Sequence, residues 1–244
     1  MASVPTVLYP LTLPALLDYI LSTQSSSSPT TLVICSDRRT FLEDLAYSLK
    51  QQQQGINQTN NLQQLLLPTL NNISTTRHVK IAFCASVQAL LAYLTAFDRP
   101  GYVHVDESEG RDRLVLVNLL ALHKPTSSFS AQGLSRTFAA AVETALRTEA
   151  SLHVVECEGR REGQVDDHGE DEAMPDGGDE GHVTIEEQDP WERDVSILNV
   201  SARRFGSGAG ERAWAGRTVK AKRIAARWFH FHEITGHLSN EELG

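Results

Sequence analysis

Short apolar, β-branched runs recur along this chain, each followed by a stretch with helical spacing, and that alternation limits the folds open to it. The runs are Thr31 to Cys35 (TLVIC), Val79 to Cys84 (VKIAFC), Leu114 to Leu122 (LVLVNLLAL) and Ser151 to Cys157 (SLHVVEC). The first is read as a buried strand and the others as the second, third and fourth strands. The first is followed by a helix over Arg39 to Lys50, with Phe41, Leu42, Leu45 and Leu49 on one face and Ser36 or Asp37 as its cap. The second is followed by a helix from Ser86 to about Phe97, with Val87, Leu90, Leu91 and Leu94 inward. A long helix over Phe129 to Arg147 carries Leu134, Phe138, Val142, Ala145 and Leu146 at helical spacing. This βαβαβαβ order predicts an α/β fold: a mostly parallel sheet with helices on its faces, joined by right-handed crossovers. The run LVLVNLLAL is the most apolar and belongs at the centre.

The 244 residues, 41% hydrophobic, suffice for one large domain spanning 1–244. Before the first run, Leu13 to Leu21 is a short amphipathic helix; Pro5, Pro10 and Pro14 interrupt the apolar stretch around it, and no basic leader precedes it. Ser25 to Ser28 is a polar linker, and residues 51–61, rich in Gln and Asn, form a polar loop. No apolar stretch reaches the roughly 18–20 residues needed to span a bilayer. Cys35, Cys84 and Cys157 lie far apart, each in or beside an apolar run, which predicts reduced core thiols of an intracellular protein.

The net charge of −9 hides an asymmetry. Between Glu156 and Asp194 stand sixteen acidic and three basic residues, with few large apolar groups. Such a segment buries too little surface to offset its ordering entropy, so 158–190 is expected to be a disordered acidic insertion. Beyond it Val195 to Arg203, the Gly-rich turn GSGAG and Thr218 to His232 are expected to form antiparallel strands that extend the sheet. This last part is basic: Arg203, Arg204, Arg212, Arg217, Lys220, Lys222, Arg223 and Arg227 against the single acid Glu211 before Glu233. Arg203, Arg204, Arg217, Lys220, Lys222, Arg223 and Arg227 are the candidate nucleic-acid contacts, with Trp214 or Trp228 as stacking platforms. Strand alternation would place Lys220 and Lys222 on one face. A polyanion between the sheet and these strands would either keep this loop off nucleic acid or lie on the cations and compete with it.

Catalytic motifs are missing. No GxxxxGK[ST] loop occurs, and Gly55 is the only glycine before Gly101. The strand LVLV ends in Asn118, a neutral side chain that would hold magnesium poorly and suits a backbone hydrogen bond better. Asp106 and Glu107 are expected in a solvated loop. No GxSxG or HExxH is present. His230 and His232 flank Phe231 on one strand face without a convergent third ligand. His123 and His153 end strands with no nucleophile beside them. No catalytic residue, metal ligand or cofactor site is assigned.

In order of elements the chain resembles the RecA-like ATPase core over roughly residues 30–232. It departs from that core in lacking the phosphate loop and in carrying Asn118 where the family has a metal-binding aspartate. This combination is similar to the degenerate RecA-like paralogs that act as non-catalytic subunits. One branch is the Shu-type recombination paralogs, which pair with another RecA-like or SWIM-domain protein and help load a recombinase on DNA. The other is the RecA-like accessory subunits of Elongator, which bind tRNA. The basic segment around a Gly-rich turn favours the first branch, which implies a scaffolding role in DNA repair, hetero-oligomer partners, contact with DNA, no ATP hydrolysis and a nuclear location, with the cytoplasm as alternative. An enzyme using the strand ends around Ser36, Asp37, Ala85 and Asn118 is the reading from a different class.

Overall fold

A computed structural model describes residues 3–24, 28–54, 69–98, 111–158, 189–198 and 217–234. The elements are β1 (Thr6–Thr12), α1 (Leu13–Thr23), β2 (Thr30–Ile34), α2 (Arg38–Gln54), α3 (Leu70–Thr76), β3 (Val79–Phe83), α4 (Val87–Ala96), β4 (Arg113–Val117), α5 (Leu119–His123), α6 (Ala131–Arg147), β5 (Ser151–Glu158), a single 3-10 turn (Pro190–Glu192), β6 (Asp194–Ser196), β7 (Thr218–Lys220), α7 (Ala221–Ala225) and β8 (His230–Glu233). Six strands form one sheet in the order β3-β2-β4-β5-β1-β8, every neighbouring pair parallel. β6 and β7 form a separate antiparallel pair. The fold is therefore α/β, a parallel sheet flanked by helices with a small antiparallel pair beside it, a layout consistent with a RecA-like order. The expected polar loop (51–61) and acidic insertion (158–190) fall largely outside the described residues.

Parallel strands need covered faces, because each β-α-β crossover lays a helix on the sheet. The alternation in every strand divides its side chains accordingly. On one face Val33, Leu114, Leu116, Leu152 and Val154 pack with Val87, Leu90 and Leu94 of α4 and with Leu134, Phe138, Ala141 and Ala145 of α6. On the other, Leu8, Leu32, Ile34, Val115, Val117 and Val155 pack with Leu13, Leu16 and Ile20 of α1 and with Phe41 of α2. β4 is interior, as its composition requires, with Leu114, Leu116 and Val117 fully buried. Each such side chain contributes roughly 1.5–3 kcal/mol by leaving water.

Besides α3, which lies where no element was expected, three stretches differ from the expectation. Thr6–Thr12, in the stretch that its prolines interrupt, is an interior strand between β5 and β8. Proline lacks a ladder donor, and the β1–β5 register shifts between Leu8 and Leu11, around Pro10. The run LVLVNLLAL is not one strand. It ends at Val117; Asn118 takes the left-handed conformation (φ 61°, ψ 42°), and Leu119–His123 is helical. Asn tolerates that conformation better than other residues with a side chain, so the sharp strand-to-helix turn falls there. Thr218 to His232 is strand, helix and strand rather than a run of antiparallel strands, and the strand that joins the main sheet, β8, is parallel to β1. The signal for α7 was present: Ala221, Ile224 and Ala225 are apolar at helical spacing, in an Ala-rich segment that favours helix.

Candidate nucleic-acid interface

The described part of the basic segment is built on β7 and α7. α7 buries Ala221, Ile224 and Ala225 and is tied to the 3-10 turn by the Ala221 N–H, which donates to the Arg193 carbonyl at 3.0 Å. Trp191 of that turn is almost fully buried and meets Phe231 edge-on at 5.3 Å, so the chain is anchored where it returns to the core after the acidic segment. With this packing fixed, the opposite side of α7 and the turn after it expose Arg223 and Arg227, which have no partner among the described residues. Arg217 is exposed just before β7.

The lysines behave differently. Lys220 and Lys222 do not share a strand face, because Lys220 ends β7 and Lys222 lies in α7. Lys220 Nζ donates to Asp194 Oδ2 at 3.1 Å across the β6–β7 pair. Lys222 Nζ lies 3.6 Å from Glu192 Oε1 and over the rings of Tyr9 and Phe231, at 5.5 and 5.7 Å from their centroids. Both lysines are therefore engaged by the last acids of the acidic stretch. Trp228 packs partly buried against the core, its indole Nε1 buried and without a partner, and is no platform for a base. Arg203, Arg204, Arg212 and Trp214 lie outside the described residues, as do Asp106 and Glu107.

All six strands of the sheet are parallel, so their carboxyl ends meet at one edge, the usual place for a ligand in such a sheet. Helix N-termini arriving there would offer free N–H groups to an anion. Here the chain caps them itself. β1 runs into α1 without a loop residue, and Thr12 Oγ1 accepts the Ala15 N–H at 3.4 Å. At α2, Asp37 Oδ1 accepts the N–H groups of Arg39 (2.9 Å) and Thr40 (3.0 Å), and these bonds hold its carboxyl below the usual range. At α4, Ser86 Oγ accepts the Ala89 N–H at 3.1 Å.

At α5 the cap comes from another strand. Glu156, buried near the end of β5, accepts the Leu120 N–H through Oε1 at 2.6 Å and the Ala121 N–H through Oε2 at 3.4 Å. Burial pushes its carboxyl up to about 8, against the opposite pull of the N–H groups of α5 and of Arg193. Asn118 answers in the other direction: its Oδ1 accepts the Cys157 N–H at 2.8 Å. The backbone-bonding role expected of Asn118 is thus the one it has. Glu156 was missed because it opens the acidic stretch; the signal was its place in the apolar alternation after Leu152 and Val154.

The remaining candidates are structural. Cys35, Cys84 and Cys157 are buried, and none of them is joined in a disulfide among the described residues. Burial raises the thiols of Cys35 and Cys84, and the Glu156 carboxyl adds to the effect at Cys35. Buried His123 bonds through Nδ1 to the Ser128 carbonyl (3.2 Å) and through Nε2 to Thr137 Oγ1 (3.1 Å), and burial holds its pKa down. His230 and His232 are exposed on β8, two residues apart. Among the described residues no group of three His, Cys, Asp or Glu side chains is placed to hold a metal ion, and no helix is long and apolar enough to cross a membrane. Compared with known proteins, the chain matches no protein-family model, and no curated protein matches it in sequence.

Proposed function

We propose that this protein is a non-catalytic, RecA-like subunit of a DNA repair complex that works in homologous recombination, scaffolding another RecA-like or SWIM-domain protein and touching DNA through its basic C-terminal segment. The observation that carries the reading is the division of the cations: Arg223 and Arg227 point to solvent from a firmly packed element, while Lys220 and Lys222 are held by Asp194 and Glu192. Exposed guanidinium groups on a rigid support suit phosphate contact. The self-capped helices at the carboxyl edge support a role without nucleotide hydrolysis. A polyphosphate would have to displace Asp37 or Glu156 from N–H groups they already occupy, and at α2 would meet the negative charge of Asp37.

The lysine pairs also favour competition between the acidic stretch and nucleic acid. Acids at its carboxyl-terminal end already neutralise two cations of the basic segment. The reading is tested by fluorescence anisotropy with labelled single- and double-stranded DNA across a salt series. The wild-type chain is expected to bind with a negative salt slope. Charge reversal at Arg223 and Arg227 is expected to flatten that slope by about one unit for each phosphate no longer neutralised. An unchanged affinity and slope in the reversed variant rejects the DNA-binding role.

A further inference from the structure

β3 ends the sheet, and its outer edge pairs with nothing among the described residues. Its inner edge is fixed by hydrogen bonds from the Thr30 N–H to the His78 carbonyl (2.8 Å) and from the Cys84 N–H to the Ile34 carbonyl (2.8 Å). Backbone groups alternate sides along a strand, so the even-numbered residues face β2, and Val79, Ile81 and Phe83 turn their N–H and C=O groups outward. The side chains of these three share the face on which α2 packs, where Phe83 meets Phe41 edge-on at 5.7 Å. Two of them stay open, Ile81 at 54% and Phe83 at 38% exposure, and Leu42 of α2 is 49% exposed. Strands that end a sheet are ordinarily blunted by charge, proline or a bulge. β3 carries one charge, Lys80, and it lies on the opposite face.

We propose that β3 is a self-association edge, on which a second copy of this chain adds its own β3 in antiparallel register about a two-fold axis through Ile81. That register is self-complementary. Ile81 stands opposite Ile81 of the second copy and Val79 opposite Phe83, and each of these pairs has both backbone groups turned to the partner, as the closely bonded pairs of an antiparallel ladder require. On the α2 face the opposed side chains are all apolar. On the other face Lys80 stands opposite Ala82 of the second copy, so like charges are not set against each other. The pairing joins two sheets into one continuous sheet. A five-residue edge is short beside a standard interface, so the dimer is weak, with a dissociation constant on the order of 10 μM.

The test needs no nucleic acid, so its outcome is independent of the DNA-binding role. Sedimentation equilibrium of the full chain over a concentration series is expected to show a monomer–dimer equilibrium. Ile81→Lys sets two ammonium groups on the axis and is expected to weaken the dimer at least about tenfold. Ile81 is more than half exposed, so the monomer fold is expected to persist, checked by circular dichroism. Ile81→Cys is expected to cross-link with itself under a mild thiol oxidant, since closely bonded antiparallel pairs have Cα atoms about 5.5 Å apart, within disulfide reach. Leu70→Cys, on α3 and more exposed at 87%, is the control and is expected to remain uncrosslinked. A chain that stays monomeric at ten times the expected dissociation constant overturns the proposal. So does a dimer unaffected by Ile81→Lys, or one in which the two cysteine variants cross-link equally.

Discussion

Asn118 and Glu156 bond reciprocally across the β4–β5 pair, each accepting backbone N–H groups from the other's side. The Asn118 amide oxygen accepts the N–H of Cys157, at the end of β5, while Glu156 accepts N–H groups of the helix that Asn118 begins. The two residues close the carboxyl edge of the sheet with groups the chain supplies itself. Glu156→Ala removes the acceptor and leaves buried donors bare, so a loss of about 1–3 kcal/mol or more in denaturant unfolding is expected.

The same carboxyl sets a pH dependence. Its folded value of about 8 lies above the ordinary 4.5, so the folded state holds a proton that the unfolded state has released between these values. Its contribution is therefore fully present below about pH 4.5 and is lost as pH rises through 8. Urea titrations from pH 6.5 to 8, above the range in which His153 titrates, are expected to show falling stability, and Glu156→Gln to flatten that fall.

His153 gives the opposite slope on the acid side. Burial first, then the charges of Arg113 and His232, hold its folded value at about 4 against an ordinary 6.5. Between these values the unfolded chain binds the extra proton, so stability is full above 6.5 and falls as pH drops toward 4, by about 3 kcal/mol at the limit. Replacing His153 with Gln is expected to remove this component of acid unfolding, measured as the denaturant midpoint at pH 4.5 relative to pH 7.

Gly133 sits in the first turn of α6 against the loop before it. A Cβ there would run into the Ser128 carbonyl oxygen, an acceptor that His123 also uses. Gly133→Ala would gain about 1 kcal/mol of helix propensity in an open helix. Here the backbone clash dominates, and a net loss of about 2 kcal/mol or more in unfolding free energy is expected.

The cation division predicts unequal effects on nucleic-acid affinity. Lys220→Gln and Lys222→Gln each remove a charge already balanced by Asp194 or Glu192 and are expected to change DNA affinity less than about threefold. Charge reversal at Arg223 and Arg227 together is expected to lower it at least about tenfold at moderate salt, read by anisotropy.

Much of the fold was legible because the strands are short apolar, β-branched runs set apart from segments with helical spacing. TLVIC, VKIAFC and SLHVVEC became β2, β3 and β5, with α2, α4 and α6 where the apolar spacing placed them. β1 escaped because prolines mask its pattern, and its place between β5 and β8 rests on pairing with residues more than a hundred positions away. α7 escaped because Lys220 and Lys222 suggested alternation where Ala221, Ile224 and Ala225 had already set a helical period. For the candidate site, the sequence located the cations, and only packing separated the held lysines from the open arginines.

By itself, then, the sequence determined the α/β class, the central position of β4, the absence of a phosphate loop and the charge asymmetry, because local period and composition encode these. Tertiary structure decided which strands are neighbours, that Glu156 caps α5, that Asp194 and Glu192 take up two lysines, and that β3 ends the sheet of the described residues. Each depends on groups distant in the chain being brought together, and no local pattern records those distances.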